Sequence, residues 1–453
     1  MNQPRMLPIA AALIRHGALP SQDLYKKVQD EFGSERSFQR ALSDTPNLVR
    51  LGSKRNRGYA IARTDIPPSP VYMRHQDGSD YFLGNLLALE ANQWTWDDAA
   101  MPQWWMLLSQ LSETLPVYQG LPWFMNAFRP AGFLGRTWVR EHAAAQGWSL
   151  DIQSWTDEQI LSAALQVPWD WRGNLSLGPF HETEDGVVAI DDRREEYARR
   201  ANLVLDGVMT GASADGEQPK FTAVVAEGNC RRSVLAKFSP RMTDDPAARR
   251  WGDIMLTEAV AQQTMAIHGL DSAATEVWMH DDRMWLETTR FDRVGARGRG
   301  GMVSLRALAY SYHYQGPANG WVQAAEHLEK RGALLEESVA KVRHIATIGH
   351  LLLNTDMHMG NLSFIVGTGP PYRLRVAPVY DMTPMRWVPV GAQNVVPPLK
   401  PEPLLKTHDR EAMVIAAEIW EETSRRDLAT DEWREWSAHR AQQIREALAA
   451  IPG

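Results

Sequence analysis

The sequence is poor in the features that mark secreted, disulfide-stabilised and membrane-spanning proteins. It contains a single cysteine, Cys230, so an intramolecular disulfide is excluded and a reducing compartment is expected. No apolar run approaches the length of a membrane span, and the start lacks a secretory signal, since AALI is followed at once by Arg15 and His16. We therefore expect a cytoplasmic protein with no membrane partner.

The composition of the 453 residues is otherwise ordinary, with 44% hydrophobic and 23% charged residues. A chain of this length exceeds one compact core, so two to four domains are expected. The net charge of −7 is unevenly distributed: residues 1–64 hold 11 Lys and Arg against 5 Asp and Glu, whereas the remainder holds 37 against 50. A small basic module on an acidic body indicates a polyanionic partner for the first part only.

The first 64 residues predict a winged-helix domain. Three helical patterns, RMLPIAAALIRHG, SQDLYKKVQDEF and SERSFQRALSD, precede two alternating segments, LVRL and GYAIA, which are joined by the basic turn GSKRNRG. In this arrangement the third helix enters the major groove of DNA and the wing contacts phosphate. The predicted DNA contacts are Arg36, Arg40, Lys54, Arg55 and Arg57. A winged helix that serves only protein contacts is the alternative.

The segment that follows is rich in tryptophan. DIPPSP at 65–70 predicts a stiff extended linker, because each proline disfavours helix in the residue before it. Ten of the eighteen tryptophans lie within 81–171. They could form a stacking platform for nucleic-acid bases, but basic residues are not interleaved with them. Aromatic core packing is therefore the favoured interpretation.

The second half of the chain changes from strand-like to helical patterns. From about residue 187, short β-like runs such as SVLAKF and MWLETT surround one helical pattern, DIMLTEAVAQQTMAIHGL; after 303, helical patterns dominate. A sheet-rich lobe followed by a helical lobe leaves a cleft, where ligands usually bind.

Polar residues are concentrated in NTDMHMGNLSF, residues 354–364. Asp356 and Asn361 are five apart, the spacing of the Asp and Asn in the catalytic loop of protein kinases. There the Asp accepts the proton of the attacking hydroxyl and the Asn oxygen binds magnesium. Asp381, at the end of the β-like run in APVYDMTP, adds a second oxygen ligand suited to Mg²⁺.

Two upstream residues complete the pattern of a kinase. Lys237 lies in a strand pattern, where kinases keep the lysine that holds nucleotide phosphates, and Glu258 lies 21 residues later in the helical pattern, where it could pair with that lysine. Each feature is weak alone. Their joint order of strand Lys, helix Glu, loop Asp and Asn, and strand-end Asp predicts ATP and Mg²⁺ as cofactors.

Several motifs resemble the HipA-type serine/threonine kinases, the toxin components of bacterial toxin–antitoxin systems. The most specific are RFDR at 290–293, NTDMHMGNLSF and APVYDMTP; FMNAFRPAGFLGR at 124–136 and GASADGEQPKFTA at 211–223 are similar to that family's amino-terminal subdomain and phosphate-facing loop. An amino-terminal winged helix resembles the YjjJ-type branch, whereas ordinary HipA chains rely on a separate DNA-binding antitoxin.

The resemblance implies an α+β protein with a winged helix followed by a two-lobed protein-kinase-like fold, in which the sheet-rich lobe precedes an all-helical lobe. The implied domains are 1–64 (winged helix), 71–185 (HipA-like amino-terminal subdomain), 186–290 (sheet-rich lobe) and 291–453 (helical lobe). By this resemblance Asp356 would be the catalytic base, and Asn361 and Asp381 would be the metal ligands. Glu258 would form an ion pair with Lys237, and Ser213 would be autophosphorylated. The implied ATP-binding residues are Lys237, Lys220, Ser213, His358 and Glu287, the last at the hinge that meets adenine. For His358, a structural role in its loop is an equal alternative.

Three functions stay open at this point. The first is a serine/threonine protein kinase, which by resemblance would modify a translation factor such as an aminoacyl-tRNA synthetase, arrest growth and have an antitoxin partner. The second is a DNA-binding transcription regulator with an inactive or ligand-sensing kinase-like body. The third is a Mg²⁺-dependent nuclease, since Asp356, Asp381 and a metal could activate water against a phosphodiester. Phosphorylation of a small molecule also stays open, because aminoglycoside-phosphotransferase-like kinases carry a His in this loop.

Overall fold

The computed structural model describes residues 8–52, 57–97, 115–130, 135, 138–140, 142–166, 171–180, 187–205, 218–243, 245–367, 374–391 and 393–451. The predictions made for Lys54, Arg55 and Ser213 lie outside these residues. The mixed α+β class is confirmed by the elements described below. No helix in these ranges is both long enough and apolar enough to cross a membrane.

The amino-terminal unit combines three helices with a three-stranded antiparallel sheet of order β1-β3-β2. Its elements are helix α1 Pro8–His16, strand β1 Leu19–Pro20, helices α2 Ser21–Val28 and α3 Glu35–Asp44, and strands β2 Leu48–Leu51 and β3 Gly58–Ile61. Ser34 begins α3, because its hydroxyl accepts a hydrogen bond from the Ser37 N–H at 3.2 Å. Phe38 and Leu42, four residues apart, face the buried core of the unit as their spacing predicts.

The next unit is built on a five-stranded antiparallel sheet of order β7-β6-β5-β4-β8. Its elements are strands β4 Ser69–Arg74, β5 Asp80–Leu89, β6 Gln93–Trp96 and β7 Tyr118–Gln119, 3₁₀ segments Trp123–Phe128, Ala144–Gln146 and Ile152–Ser154, helix α4 Asp157–Gln166 and strand β8 Leu175–Leu177. Five tryptophans of this unit are buried, and Trp148 is half-buried against them: Trp94, Trp96, Trp138, Trp155 and Trp171. For these residues, core packing is confirmed over a stacking surface.

The first two units are packed against each other despite the proline-rich connection. The Glu90 N–H donates to the Ile61 carbonyl at 2.9 Å, which ties β3 to the end of β5. The Gln93 side chain accepts a hydrogen bond from the Ala18 N–H at 2.6 Å. A small apolar cluster that includes Leu51 and Leu89 fills the space between the two sheets. These contacts leave α3 on the outside of the molecule.

The sheet-rich lobe carries helices on both faces of a five-stranded sheet of order β12-β13-β11-β10-β9. Its elements are strand β9 Val187–Ala189, helix α5 Arg193–Leu205, strands β10 Lys220–Glu227 and β11 Cys230–Phe238, helix α6 Pro246–Ile267, and strands β12 Thr275–His280 and β13 Arg283–Thr289. Helix α5 packs on the outer face with an aromatic core. Helix α6 packs on the inner face, where it is buried on nearly all sides.

The carboxy-terminal lobe is mainly helical but contains strands, so the expectation of an all-helical lobe is wrong. Its elements are strands β14 Arg293–Val294, β15 Gly298–Arg299 and β16 Met302–Ser304, helices α7 Leu305–Ser311, α8 Trp321–Lys330 and α9 Glu336–Leu351, strands β17 Ser363–Val366 and β18 Leu374–Val376, the 3₁₀ segment Met385–Trp387, and helices α10 Arg410–Ser424 and α11 Asp431–Ala449. Strands β16, β17 and β18 form one sheet. At three or four residues each, they are too short to give a readable alternation.

Candidate active site

Three charged side chains meet between the lobes. Lys237 projects from the inner face of β11, opposite Leu286 of β13. Helix α6 begins after Asp245, whose carboxylate accepts hydrogen bonds from two backbone N–H groups of its first turn, and this helix carries Glu258. The Lys237 ammonium lies 2.8 and 3.0 Å from the two Glu258 oxygens and also contacts the Asp381 carboxylate. The predicted pair of Lys237 and Glu258 is therefore present, and Asp381 joins it.

The two carboxylates that share this lysine respond differently to it. Burial raises the pKa of Glu258 to about 7 although Lys237 opposes that rise, and the side chain is only 1% exposed. Burial alone would also raise the pKa of Asp381, but the charges of Lys237 and Lys220 outweigh it and lower the pKa. The Asp381 side chain is 20% exposed, which makes its ionisation easier than that of Glu258. We conclude that Asp381 is ionised more readily than Glu258.

A second lysine lies beside the first. Lys220, on β10, is the register partner of Lys237 on β11, so both side chains are on the inner face of the sheet. Lys220 is almost fully buried. Its charge contributes to the lowered pKa of Asp381 and opposes the rise at Glu258. Two adjacent ammonium groups between the lobes favour an anionic ligand at this point.

The loop that carries Asp356 is held in place by a buried asparagine that the sequence analysis did not single out. The Asn354 side-chain oxygen accepts from the Asp356 N–H at 3.0 Å, and its amide donates to the Asp381 carbonyl at 3.2 Å. Asn354 therefore links the two acidic residues of the site. Its position directly after the apolar run IGHLLL was the signal available in the sequence, because a buried amide needs hydrogen-bond partners.

A close approach to helix α9 also positions this loop. Met357 packs against Gly349, where an added Cβ would lie 2.8 Å from the methionine sulfur. Leu353 and Asp381 both adopt left-handed backbone conformations, with φ of +58° and +53°. Such conformations are unfavourable for these residue types and persist where the surrounding contacts enforce them, which is common in functional sites.

The side-chain oxygen of Asn361 is suited to bind magnesium. Its amide nitrogen donates to the Asp356 carbonyl at 3.0 Å, which fixes the side chain. Its amide oxygen is buried and has no hydrogen-bond partner among the residues that the structure describes. The described residues contain no group of three or more His, Cys, Asp or Glu that could hold a metal. The oxygens of Asn361 and Asp381 thus fit a magnesium ion that takes its other ligands from phosphate and water.

His358 is bound into the loop through one ring nitrogen. Its Nδ1 atom accepts hydrogen bonds from the Gly360 N–H and from the Arg306 guanidinium, both at 3.0 Å. Because both partners are donors, Nδ1 is unprotonated. This geometry supports the structural alternative for Nδ1, and a role for the other ring nitrogen in ATP binding stays a prediction.

The placement of Glu287 at the adenine site is corrected by the structure. In β13, Glu287 is the register partner of Ala236, one residue away from the Lys237–Leu286 pair, so its side chain faces the outer side of the sheet. There its carboxylate accepts hydrogen bonds from Tyr197 at 2.6 Å and Arg193 at 3.1 Å. A motif position cannot reveal which face of a strand a side chain occupies until the register is known.

The RFDR motif is a structural junction. Asp292 accepts hydrogen bonds from Arg290, Arg293 and the Gly173 N–H, the last at 2.8 Å from the Trp-rich unit. Burial would raise the pKa of Asp292, but the two arginines outweigh this effect and lower the pKa to about 2. This carboxylate therefore stays charged and joins the sheet-rich and carboxy-terminal lobes to the unit before them.

The basic residues predicted to contact DNA are separate from this site. Arg36 and Arg40 are exposed one turn apart on α3, so they share a face of that helix. Arg57 is exposed at the start of β3. All three belong to the amino-terminal unit.

Comparison with known proteins shows the family to which the chain belongs. Residues 212–451, more than half of the chain, match the HipA-like C-terminal domain, and the chain belongs to the family of HipA-like toxins. Residues 66–182 match the middle domain of YjjJ-like toxins. The chain is 31% identical over 369 residues to Toxin YjjJ of Escherichia coli (strain K12), with 79% of each chain covered. The family resemblance carried by the motifs is thus confirmed.

Two solved structures align with this chain at low sequence identity. The first is a chain of the Shewanella oneidensis MR-1 toxin–antitoxin complex of HipA, HipB and operator DNA, with a TM-score of 0.45, 12% identity, and coverage of 83% of this chain and 96% of that one. The second is the Helicobacter pylori proinflammatory kinase CtkA, with a TM-score of 0.35, 11% identity, and coverage of 51% and 88%.

Proposed function

We propose that the protein is an ATP- and Mg²⁺-dependent kinase that phosphorylates a serine or threonine of a cellular protein. The observation that carries the proposal is the buried Lys237–Glu258 pair in contact with Asp381. In kinases a strand lysine held by a helix carboxylate positions the nucleotide phosphates, and the pair must be in place for activity. The contact of Lys237 with Asp381 brings a metal-binding carboxylate to the same point.

In the proposed reaction each polar residue has a distinct task. Asp356 accepts the proton of the attacking hydroxyl, and Asn354 holds its backbone for that purpose. Lys237 and Lys220 place positive charge against the nucleotide phosphates. Asn361 and Asp381 would hold Mg²⁺, which supplies further positive charge to the transferred phosphoryl group.

The substrate, the self-modification and the antitoxin are part of the same proposal. Membership of the toxin family supports a target whose phosphorylation arrests growth, and a translation factor such as an aminoacyl-tRNA synthetase is the proposed one. Ser213, which lies outside the described residues, is the proposed site of autophosphorylation. An antitoxin is the proposed partner.

The test is the intact mass of the purified protein before and after incubation with Mg²⁺ and ATP. We expect one added phosphoryl group in the wild type and none in Asp356→Asn or Ser213→Ala. Asp356→Asn should still bind ATP, because the lysines and Asn361 are unchanged. Full phosphorylation of Asp356→Asn would contradict the assignment of the base.

We also propose that the amino-terminal unit binds DNA and regulates the gene of the protein. Its element order, three helices with a strand between the first two and a hairpin at the end, supports this proposal, and α3 presents Arg36 and Arg40 together. Replacing both arginines by alanine should weaken binding to the upstream region of the gene and reduce the slope of log K against log salt by about 2.

The same assays separate the remaining functions. DNA binding that depends on Arg36 and Arg40, without any ATP turnover, would favour a transcription regulator with an inactive kinase-like body. Metal-dependent nicking of the DNA probe, lost in Asp356→Asn, would favour a nuclease instead. Unchanged DNA binding in the double variant would exclude α3 as the contact surface.

A further inference from the structure

Helix α6, which carries Glu258, is hydrogen-bonded to the carboxy-terminal lobe through a buried carboxylate. Asp253 of this helix accepts hydrogen bonds from the Thr430 N–H and from the Thr430 hydroxyl, both at 2.8 Å. Thr430 directly precedes helix α11, and its hydroxyl also accepts a hydrogen bond from the Trp433 N–H at 3.3 Å. Asp253 is therefore connected to the start of α11 by two direct hydrogen bonds.

A third hydrogen bond joins the same two helices one turn further along α6. The Trp433 indole N–H donates to the Thr257 hydroxyl at 3.0 Å, and both side chains are fully buried. Thr257 directly precedes Glu258 in the chain. We name Asp253, Thr257, Thr430 and Trp433 the α6 anchor.

The α6 anchor and the contact with Lys237 lie on different sides of the helix. An α-helix turns by about 100° per residue, so Thr257 is about 100° and Asp253 about 140° away from Glu258 around the helix axis. Most of the other buried residues of α6 are apolar. Apolar burial is non-directional and leaves the rotation of a helix weakly defined, whereas hydrogen bonds on two sides define it.

The environment of Asp253 makes its hydrogen bonds necessary. Burial raises the pKa of Asp253 to about 6, although the hydrogen bonds from Thr430 and the charge of Arg250 oppose that rise. Arg250, one turn earlier on α6, donates to the Pro397 carbonyl at 3.0 Å and to the Glu432 carboxylate at 3.3 Å. A buried carboxylate that loses its hydrogen bonds costs free energy, so Asp253 favours the rotation of α6 that keeps Thr430 within reach.

We propose that Asp253 is a positioning residue for phosphoryl transfer, because through the α6 anchor it fixes the rotation of α6 at which the Glu258 carboxylate meets Lys237. The inference rests on the proposed kinase function and adds to it a residue that acts through Glu258. Rotation of α6 would withdraw Glu258 from Lys237, since the contacts between them are only 2.8 and 3.0 Å long.

The first test is amide hydrogen exchange of the full chain, followed by mass spectrometry at pH 8, where Asp253 is ionised. In Asp253→Ala, peptides covering residues 246–262 should exchange about tenfold faster than in the wild type, because the hydrogen bonds to a charged group that oppose local opening are lost. Peptides of α9 should keep their rates. Equal acceleration in both helices, or none in α6, would overturn the inference.

Two further comparisons control this test. Asp427→Ala removes a fully exposed carboxylate from the connection between α10 and α11 and should leave exchange in α6 unchanged. Thr430→Val removes the hydroxyl partner of Asp253 without altering α6, and it should accelerate exchange in α6, whereas Thr430→Ser should retain the wild-type rates. This pair decides the question where Asp253→Ala does not fold. Wild-type exchange of α6 in a folded Thr430→Val protein would also overturn the inference.

The second test is a double-mutant cycle on the rate of phosphoryl transfer. Asp253→Ala should lower this rate about tenfold by itself and cause no further loss in Glu258→Gln, because a residue that acts through Glu258 has no effect without it. Losses that multiply would overturn the inference and assign Asp253 a structural role only. A wild type without phosphoryl transfer would contradict the proposed function instead, and hydrogen exchange would still decide whether Asp253 fixes α6.

Discussion

The two faces of the sheet in the sheet-rich lobe each bury an ionic cluster, and the clusters differ in how their donors are shared among the carboxylates. On the outer face, one carboxylate, Glu287, accepts hydrogen bonds from Tyr197 and Arg193 and forms an ion pair with Arg232. On the inner face, one ammonium, Lys237, is shared by two carboxylates. Glu287 thus has three donors, whereas the two inner carboxylates share the Lys237 ammonium, with Lys220 as a second positive charge beside them.

The two clusters also differ in whether a side chain can exchange one of its contacts for a ligand. Glu287 is 1% exposed and surrounded by donors from α5 and β11, so its contacts stabilise one arrangement. Lys237 lies between a carboxylate that burial drives toward protonation and another that stays charged. Lys237 can exchange its contact with Asp381 for a nucleotide phosphate while its pair with Glu258 stays in place, as the proposed function requires. We therefore expect the inner cluster to control activity and the outer one stability.

The largest expected effect is on activity, at the inner face. Lys237→Met should reduce phosphoryl transfer by about 10²–10³-fold, because it removes positive charge from the nucleotide phosphates. The measurement is the rate of autophosphorylation by intact mass. Arg232→Met, a matched loss of one cation from the outer cluster, should keep most of the activity. Equal losses in the two variants would break the distinction between the faces.

The next effect is on stability, at the outer face. Glu287→Gln should lower the free energy of unfolding by about 3–5 kcal/mol, because it removes the buried carboxylate of the cluster and leaves Arg193 with the half-exposed Glu276 alone. Urea titration followed by tryptophan fluorescence measures the change. Glu276→Gln removes a half-exposed carboxylate from the same cluster and should cost less than about 1 kcal/mol. A stability loss in Glu287→Gln no larger than that of Glu276→Gln would show that the outer cluster is not structural.

The smallest effect is a pH dependence at the inner face. The pKa of Glu258 is raised in the folded state from 4.5 to about 7, so its contribution to stability is present below pH 4.5 and is lost as the pH rises toward 7. Glu258→Gln stays neutral, and its free energy of unfolding should therefore improve relative to wild type by about 1–3 kcal/mol over that range. Urea titrations at several pH values measure the difference. A difference that is constant with pH would indicate that Glu258 is ionised throughout.

Much of the candidate site was predictable because it depends on residue type and order. Lys237, Glu258 and Asp381 were identified from their positions in strand and helix patterns, and the structure brings them into contact. Asn354 was not identified, since its role is to hydrogen-bond two segments that lie 27 residues apart. Arg306 was missed for the same reason, because its contact with His358 spans 52 residues.

The same limit explains the corrections to the fold. Short strands such as β16 and β18 carry too few residues for a pattern, and they form only because β17 between them supplies hydrogen bonds on both edges. Glu287 was expected at the hinge that meets adenine but faces the outer side of the sheet, since a motif gives no strand register. The proline-rich connection after the amino-terminal unit also concealed the contacts of Gln93 and Glu90 with that unit.

The family, the mixed α+β class and the residues that can carry chemistry follow from the sequence, because motifs and periodicity are local properties of a chain. Which of those residues meet depends on the tertiary structure. Alternation along β11 separates Lys237 from Ala236, but it is the packing of α6 on one face and α5 on the other that makes one face a candidate active site and the other a structural core. Burial then sets the charge of each carboxylate, since the free energy of ionisation depends on surroundings contributed by distant parts of the chain.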